Sequence, residues 1–182
     1  MVQKKSLCMI REKNTMIKTN REEETVSLGR IVGSKLKGGD VVGLIGELGA
    51  GKTYLVKGLA EGLGIPEDQY VASPTFTLIN EYKGNIMLYH FDLYRIQHEK
   101  ELEGMGYDEY LYGNGVVVIE WAEKLSRLLP TELLLIEIQR EGESKRKLIF
   151  TGKGSRYAQL VEEIEEDQKY HVNFSKFLTE EV

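Results

Sequence analysis

The sequence predicts a three-layer α/β fold, a mixed sheet with a parallel core and antiparallel additions. Three observations carry that expectation. The apolar run Val41-Val42-Gly43-Leu44-Ile45 leads into a glycine-rich turn, and Leu55, Val56, Leu59, Ala60 and Leu63 then recur at helical spacing, so strand, loop and helix follow in succession. Val116-Val117-Val118-Ile119 is the clearest apolar strand of the chain, as expected of a strand covered on both faces. Two further pairs of strand-like segments, Phe76–Tyr82 with Ile86–Phe91 and Leu133–Ile138 with Arg146–Phe150, are each joined by a short polar turn, as hairpins are. Helices alternating with strands give the parallel core, and the hairpins give the antiparallel additions.

The elements follow in order. Thr19-Asn20 before Glu22-Glu23-Glu24 reads as a helix cap with acids in the first turn, and Leu28, Ile31, Val32 and Leu36 continue that helix on one face. The Gly38-Gly39-Asp40 turn precedes the first buried strand; Gly62, Gly64 and Pro66 stop the helix after it. Residues 70–75 form a proline-containing loop before the first hairpin, whose turn is Lys83-Gly84-Asn85. Residues 97–113 are polar, helical and broken by glycine, and a short helix after Trp121 ends before Pro130. The second hairpin turns through Glu141-Gly142-Glu143-Ser144, and Ser155–Lys169 closes the series as an acidic amphipathic helix. The resulting division is an N-terminal extension over residues 1–16, one domain over 17–170 and a tail over 171–182. Net charge follows it, basic over residues 1–16 and acidic over 161–182, as for two solvated ends.

Composition narrows the class. The chain has 182 residues, 41% hydrophobic and 29% charged, as one globular domain should, and no apolar run approaches the roughly 20 residues that span a bilayer. Cys8 is the single cysteine, which excludes an intrachain disulfide and a cysteine metal cluster. The N-terminus lacks a signal-peptide apolar stretch. These features are those expected of a cytoplasmic protein with no membrane association. The net charge of -5 makes any contact with nucleic acid local or indirect.

The turn itself carries the chemistry. Gly46-Glu47-Leu48-Gly49-Ala50-Gly51-Lys52-Thr53 fits G-x-x-x-x-G-K-[ST], the phosphate-binding loop of nucleotide hydrolases and kinases, in the strand-before, helix-after setting that loop requires. A chance match in a chain of this length is roughly one in two hundred. Backbone N–H groups and the positive end of the following helix converge on one point, which suits a phosphate. Lys52 is placed to reach the β- and γ-phosphates and the Thr53 hydroxyl to ligate Mg²⁺. The fold class is therefore P-loop NTPase-like.

Such a loop needs a second Mg²⁺ group and a group that orients or deprotonates the attacking water. Glu120 ends the run VVVI and Asp92 ends IMLYHF. The more wholly apolar strand favours Glu120 for the metal, leaving Asp92 for the water. His90, two residues before Asp92 and on the same strand face, is placed to polarise Asp92 or to pack; Arg95 is placed to contact phosphate or to pair with Asp92.

Together, GELGAGKT, SPTFTLINEY (Ser73–Tyr82), HFDLYRI (His90–Ile96) and IEWAEKL (Ile119–Leu125) closely resemble the TsaE (YjeE) family of bacterial ATPases of tRNA threonylcarbamoyladenosine biosynthesis. The resemblance covers roughly residues 17–152. It implies an ATPase that works with TsaB- and TsaD-like proteins, with ATP as substrate and Mg²⁺ as cofactor. By motif it places Lys52 and Thr53 on phosphates and metal, Glu120 on the metal and Asp92 in hydrolysis. It also makes Thr75 a nucleotide-sensing residue and Trp121 the tryptophan beside the metal glutamate. By rough position it puts Thr19, Asn20 and Arg146 near the nucleotide. The two ends have no counterpart in the family.

Three other readings compete. A small GTPase reads guanine through N-K-x-D, which does not occur here. A small-molecule kinase closes an arginine-bearing lid, for which Lys145-Arg146-Lys147 is the late basic cluster. A nucleotide-gated scaffold shares the binding site and differs only in what hydrolysis is for.

Overall fold

The run Val41–Ile45 becomes β2 and lies in the middle of a sheet with the order β1-β7-β6-β2-β5-β4-β3. The computed structural model describes residues 11–179 apart from Glu103, Met105 and Ser126, with side chains as far as residue 168. In chain order the elements are β1 (Glu12–Thr19), α1 (Glu22–Gly33), β2, α2 (Lys52–Gly62), β3 (Ile79–Tyr82), β4 (Leu88–Asp92), α3 (Tyr107–Leu111), β5 (Val116–Glu120), β6 (Leu133–Arg140), β7 (Arg146–Lys153) and α4 (Ser155–Thr179). Strands β6, β2, β5 and β4 are parallel neighbours, while β3 pairs antiparallel with β4, and β7 with both β6 and β1. The expected parallel core with antiparallel additions is therefore observed.

The two apolar runs lack polar alternation because both of their faces are covered. Val42, Leu44, Val116 and Val118 pack under α1, α2 and α4, whereas Val41, Val117 and Ile119 pack on the opposite side with Leu102, Leu111 and Leu125. That second layer is thin. The stretch expected to be helical over residues 97–113 supplies a 3₁₀ turn at Glu99–Leu102 and the five-residue α3, and Ala122–Leu125 is a second 3₁₀ turn.

Glycine explains how closely α1 and α2 approach. A Cβ on Gly58 would collide with the Val26 carbonyl and one on Gly29 with the Leu55 carbonyl. Part of the glycine concentration after the phosphate loop therefore serves helix packing, where an added methyl costs about 1–3 kcal/mol as overpacking.

Three sequence expectations change. First, residues 12–16 are not an extension: they form most of β1, register-paired with Ile149–Lys153 of β7, while residues 1–10 lie outside the described residues. β1 is an edge strand whose outward side chains, Glu12, Asn14, Met16 and Lys18, are exposed, so its hydrophobic signal reduces to little more than Ile17. Second, Thr19 and Asn20 do not cap α1. Thr19 ends β1 with its hydroxyl 2.8 Å from that of Thr25, and the N-cap is Arg21, without a side-chain cap. Glu24 instead reaches back to accept the Asn20 backbone N–H at 2.8 Å. Third, α4 runs through residue 170 to Thr179, so the tail boundary does not coincide with the end of the helix; residues 180–182 lie outside the described residues.

The charged ends also meet. Arg11 pairs with Glu162 at 2.6 Å and Lys13 with Glu165 at 3.0 Å, tying β1 to α4 across the surface. Exposed pairs of this kind contribute little, at most about 1 kcal/mol each. Among the described residues, no helix is long and apolar enough to cross a membrane.

Candidate nucleotide-binding site

The loop from Gly46 to Thr53 joins β2 to α2, so its backbone N–H groups cluster at a helix N-terminus. Gly51 is the N-cap with φ 107°, a left-handed conformation that requires glycine. A Cβ there would also strike the Arg146 guanidinium, which lies directly behind the loop. Arg146 is buried and donates from Nε to the Ala50 carbonyl at 3.1 Å, from one terminal nitrogen to the Ser144 carbonyl at 2.7 Å, and from the other to Glu22 at 3.2 Å. It braces the loop from the rear.

Lys52 is 5% exposed; its Nζ donates to the carbonyls of Gly46 at 2.6 Å and Glu47 at 2.9 Å, and lies 3.7 Å from the centre of the Trp121 ring. Burial lowers the Lys52 pKa from its ordinary value, and the charges of Glu120, Glu123 and Asp92 pull it back up. Trp121 reaches this place with φ 63°, a left-handed backbone uncommon for a non-glycine residue. Leu78, with φ 68°, does the same where the segment after the Ser73-Pro74-Thr75 turn meets β4. Strained conformations of this type concentrate at functional sites.

The two candidate carboxylates are register partners at the ends of adjacent parallel strands, Asp92 of β4 opposite Glu120 of β5, and each is 3% exposed. Their partners differ. Glu120 Oε1 accepts the Thr53 hydroxyl at 3.0 Å and lies 3.0 Å from His90 Nε2. Asp92 Oδ2 accepts the hydroxyls of Ser73 and of Thr75, the latter at 2.8 Å, while Oδ1 accepts the Tyr94 backbone N–H at 2.8 Å. His90 thus meets Glu120 and not Asp92, and Arg95 lies over the Phe76 ring at 4.9 Å and does not pair with Asp92.

A cavity of about 310 Å³ brings most of the expected residues together: Leu48, Gly49, Gly51, Lys52, Thr53, Thr75, Asp92, Glu120 and Trp121 line it, joined by Tyr54, Ser73 and Tyr94. Gly46, Glu47 and Ala50 belong to the loop behind it. Thr19, Asn20 and Arg146 do not line it; Thr19 is engaged with Thr25, and Arg146 acts through the loop carbonyl. Three larger grooves, of about 470, 570 and 730 Å³, contain none of the loop residues. Sequence reasoning did not assign Ser73 or Tyr94 a role; the only signal was that both lie inside motifs already singled out.

The donor set suits a hard cation. A hydroxyl and a carboxylate oxygen stand 3.0 Å apart beside the phosphate loop, and Mg²⁺ is commonly held by one or two carboxylates together with phosphate oxygens and water. Among the described residues no cluster of three or more His, Cys, Asp or Glu forms a metal cage of its own.

Comparison with known proteins gives the same fold and a family. The family model described as threonylcarbamoyl adenosine biosynthesis protein TsaE matches residues 19–148. The tRNA threonylcarbamoyladenosine biosynthesis protein TsaE of Bacillus subtilis is 47% identical over 148 residues, 81% of this chain and 91% of that protein. Its counterpart in Treponema pallidum is 43% identical over 69% of this chain and 92% of that protein. The crystal structure of Bacillus subtilis YdiB superposes with a TM-score of 0.75 at 41% identity, covering 87% of this chain and 98% of that one. A phosphate loop set between β2 and α2, two buried carboxylates in register beyond it, and these matches together place the chain in the TsaE family of threonylcarbamoyl adenosine biosynthesis proteins, with a P-loop NTPase-like fold.

Proposed function

We propose that this chain is a P-loop ATPase that binds ATP with Mg²⁺, hydrolyses it slowly by itself, and supports threonylcarbamoyl transfer to adenosine in tRNA together with TsaB- and TsaD-like proteins. The observation that carries the reading is the 3.0 Å bond from Thr53 to Glu120 beside the glycine loop. A Thr53 hydroxyl that donates to Glu120 keeps its lone pairs available for a cation, and the carboxylate supplies the charge that the cation needs.

In this reading the loop N–H groups and Lys52 bind the β- and γ-phosphates, so Lys52 exchanges two carbonyl partners for phosphate oxygens. Thr53 and Glu120 would hold Mg²⁺, which would supply positive charge to offset that of the phosphates. Asp92 orients the attacking water and accepts its proton. The water oxygen bonds to the γ-phosphorus, the bond to the β,γ-bridging oxygen breaks, and ADP leaves with inorganic phosphate as the other product. Release of Asp92 Oδ2 from the Ser73 or Thr75 hydroxyl would make it the stronger proton acceptor, which gives the 70–78 segment a switching role.

Arg146 bears on the kinase alternative. Its guanidinium is buried behind the loop and so is not a mobile lid cation. The scaffold alternative keeps one supporting observation, the engagement of Asp92 by three donors. The test is reconstitution with purified TsaB- and TsaD-like proteins, tRNA, ATP and an activated threonylcarbamoyl donor. The chain alone should turn over well below the roughly 1–10³ s⁻¹ typical of enzymes. Repeated rounds of tRNA modification should require both this chain and hydrolysable ATP. Modification that proceeds unchanged without the chain contradicts the reading, and full modification with an Asp92→Ala chain that no longer hydrolyses ATP favours the scaffold.

A further inference from the structure

We propose that His90 is a positioning residue for Glu120: its Nε2–H anchors the carboxylate from β4 while Thr53 anchors it from α2. The proposal rests on the reading of this cavity as a Mg²⁺–nucleotide site.

His90 is fully buried, with 0% exposure, on the face of the sheet that carries α2. Its Nε2 is 3.0 Å from Glu120 Oε1, and its Nδ1 is buried without any hydrogen-bond partner. An ionised carboxylate only accepts, so the nitrogen facing it must carry the proton. The tautomer follows. A proton on Nδ1 would be a buried donor with no acceptor, whereas a bare Nδ1 leaves only a lone pair unmatched. An apolar residue would fill this position without leaving any orphaned atom, so packing alone does not account for an imidazole here.

Contact with Glu120 does account for it. Both donors, Thr53 and His90, fall on the same oxygen. Two anchors from two rigid elements stop the carboxylate from rotating, and among the described residues no donor meets Oε2, the oxygen left for other work. Groups that hold a metal ligand from behind in this way usually tune metal affinity by about 10–100-fold.

The test measures affinity for ADP and for a non-hydrolysable ATP analogue by calorimetry, with Mg²⁺ and with EDTA. His90→Leu should lose roughly 10–100-fold of the affinity gained from Mg²⁺ while Mg²⁺-free affinity stays within a few fold. His90→Gln, which keeps an N–H donor on a side chain of similar reach, should retain most of that gain. Glu120→Ala is run in parallel. If Glu120→Ala loses the Mg²⁺ gain and His90→Leu keeps it, the positioning role is wrong and the metal site stands. If Glu120→Ala keeps the gain, the metal assignment fails and the inference with it. If His90→Gln behaves like His90→Leu, the donor is not what matters. Nitrogen-15 NMR of the unsubstituted protein gives a reading that needs no variant to fold: a proton on His90 Nε2 is expected, and a tautomer with its proton on Nδ1 and none on Nε2 overturns the proposal.

Discussion

The ends of β4 and β5 look alike in sequence and differ in how they are held. Each strand finishes in a carboxylate that is 3% exposed, and the two are register partners. Glu120 is bound to elements of regular structure, α2 through Thr53 and β4 through His90. Asp92 is bound to the hydroxyls of Ser73 and Thr75, in a segment with no helix or strand between Gly62 and Ile79. A carboxylate fixed by the frame of the fold keeps its geometry whatever the loops do, as a metal ligand should. A carboxylate fixed by loop hydroxyls changes its surroundings whenever the loop moves, as suits a group that acts only at one stage of a cycle.

The charges of both carboxylates act on Lys52, and its removal should have the largest effect. On the proposed reading Lys52→Ala would remove two charge-assisted bonds to phosphate, each worth about 1.5–3 kcal/mol, so ATP affinity should fall by about 10²–10⁴-fold in calorimetry. Unchanged affinity would detach the phosphate loop from nucleotide binding altogether. Asp92→Ala sharpens the contrast at the β4 end. With TsaB- and TsaD-like partners present, its hydrolysis rate should fall by roughly 10²–10⁴, the range for a positioned acid–base group, while ATP affinity stays within a few fold.

A smaller effect tests the loop side of the comparison. Thr75→Val removes one bond to Asp92 and should cost about 1 kcal/mol, a melting shift of about 2–4 °C, with the affinity gained from Mg²⁺ unaltered. Loss of that gain in Thr75→Val would mean that the two carboxylates are not separately wired.

The sequence made some of this visible and hid the rest for physical reasons. The loop with Lys52 and Thr53 was legible because its pattern sets glycine at fixed intervals, and Glu120 and Asp92 because each ends a mostly apolar strand run. β1 was not legible: an edge strand with charged and polar residues on its outward face carries little period-two signal. The partner of His90 was hidden by register. Along the chain its same-face neighbour is Asp92, and only the pairing of β4 with β5 brings Glu120 to its Nε2. Arg146 lies 96 residues from the Ala50 carbonyl it braces, and no local pattern announces a contact of that kind. Nor did residue type alone show that Ser73 and Thr75 close on Asp92, since hydroxyls in a proline-containing turn more often bond to nearby backbone.

The division of labour between the two strand ends is tested most directly by measuring ATP affinity with and without Mg²⁺ for Glu120→Ala and Asp92→Ala side by side. Glu120→Ala should lose most of the gain that Mg²⁺ confers, at least as much as His90→Leu loses, and leave Mg²⁺-free binding nearly intact. Asp92→Ala should keep the whole gain, and its binding can tighten slightly because one anion no longer faces the triphosphate. The reverse pattern, with the gain lost in Asp92→Ala and kept in Glu120→Ala, would contradict the assignment of metal to the β5 end and of water to the β4 end.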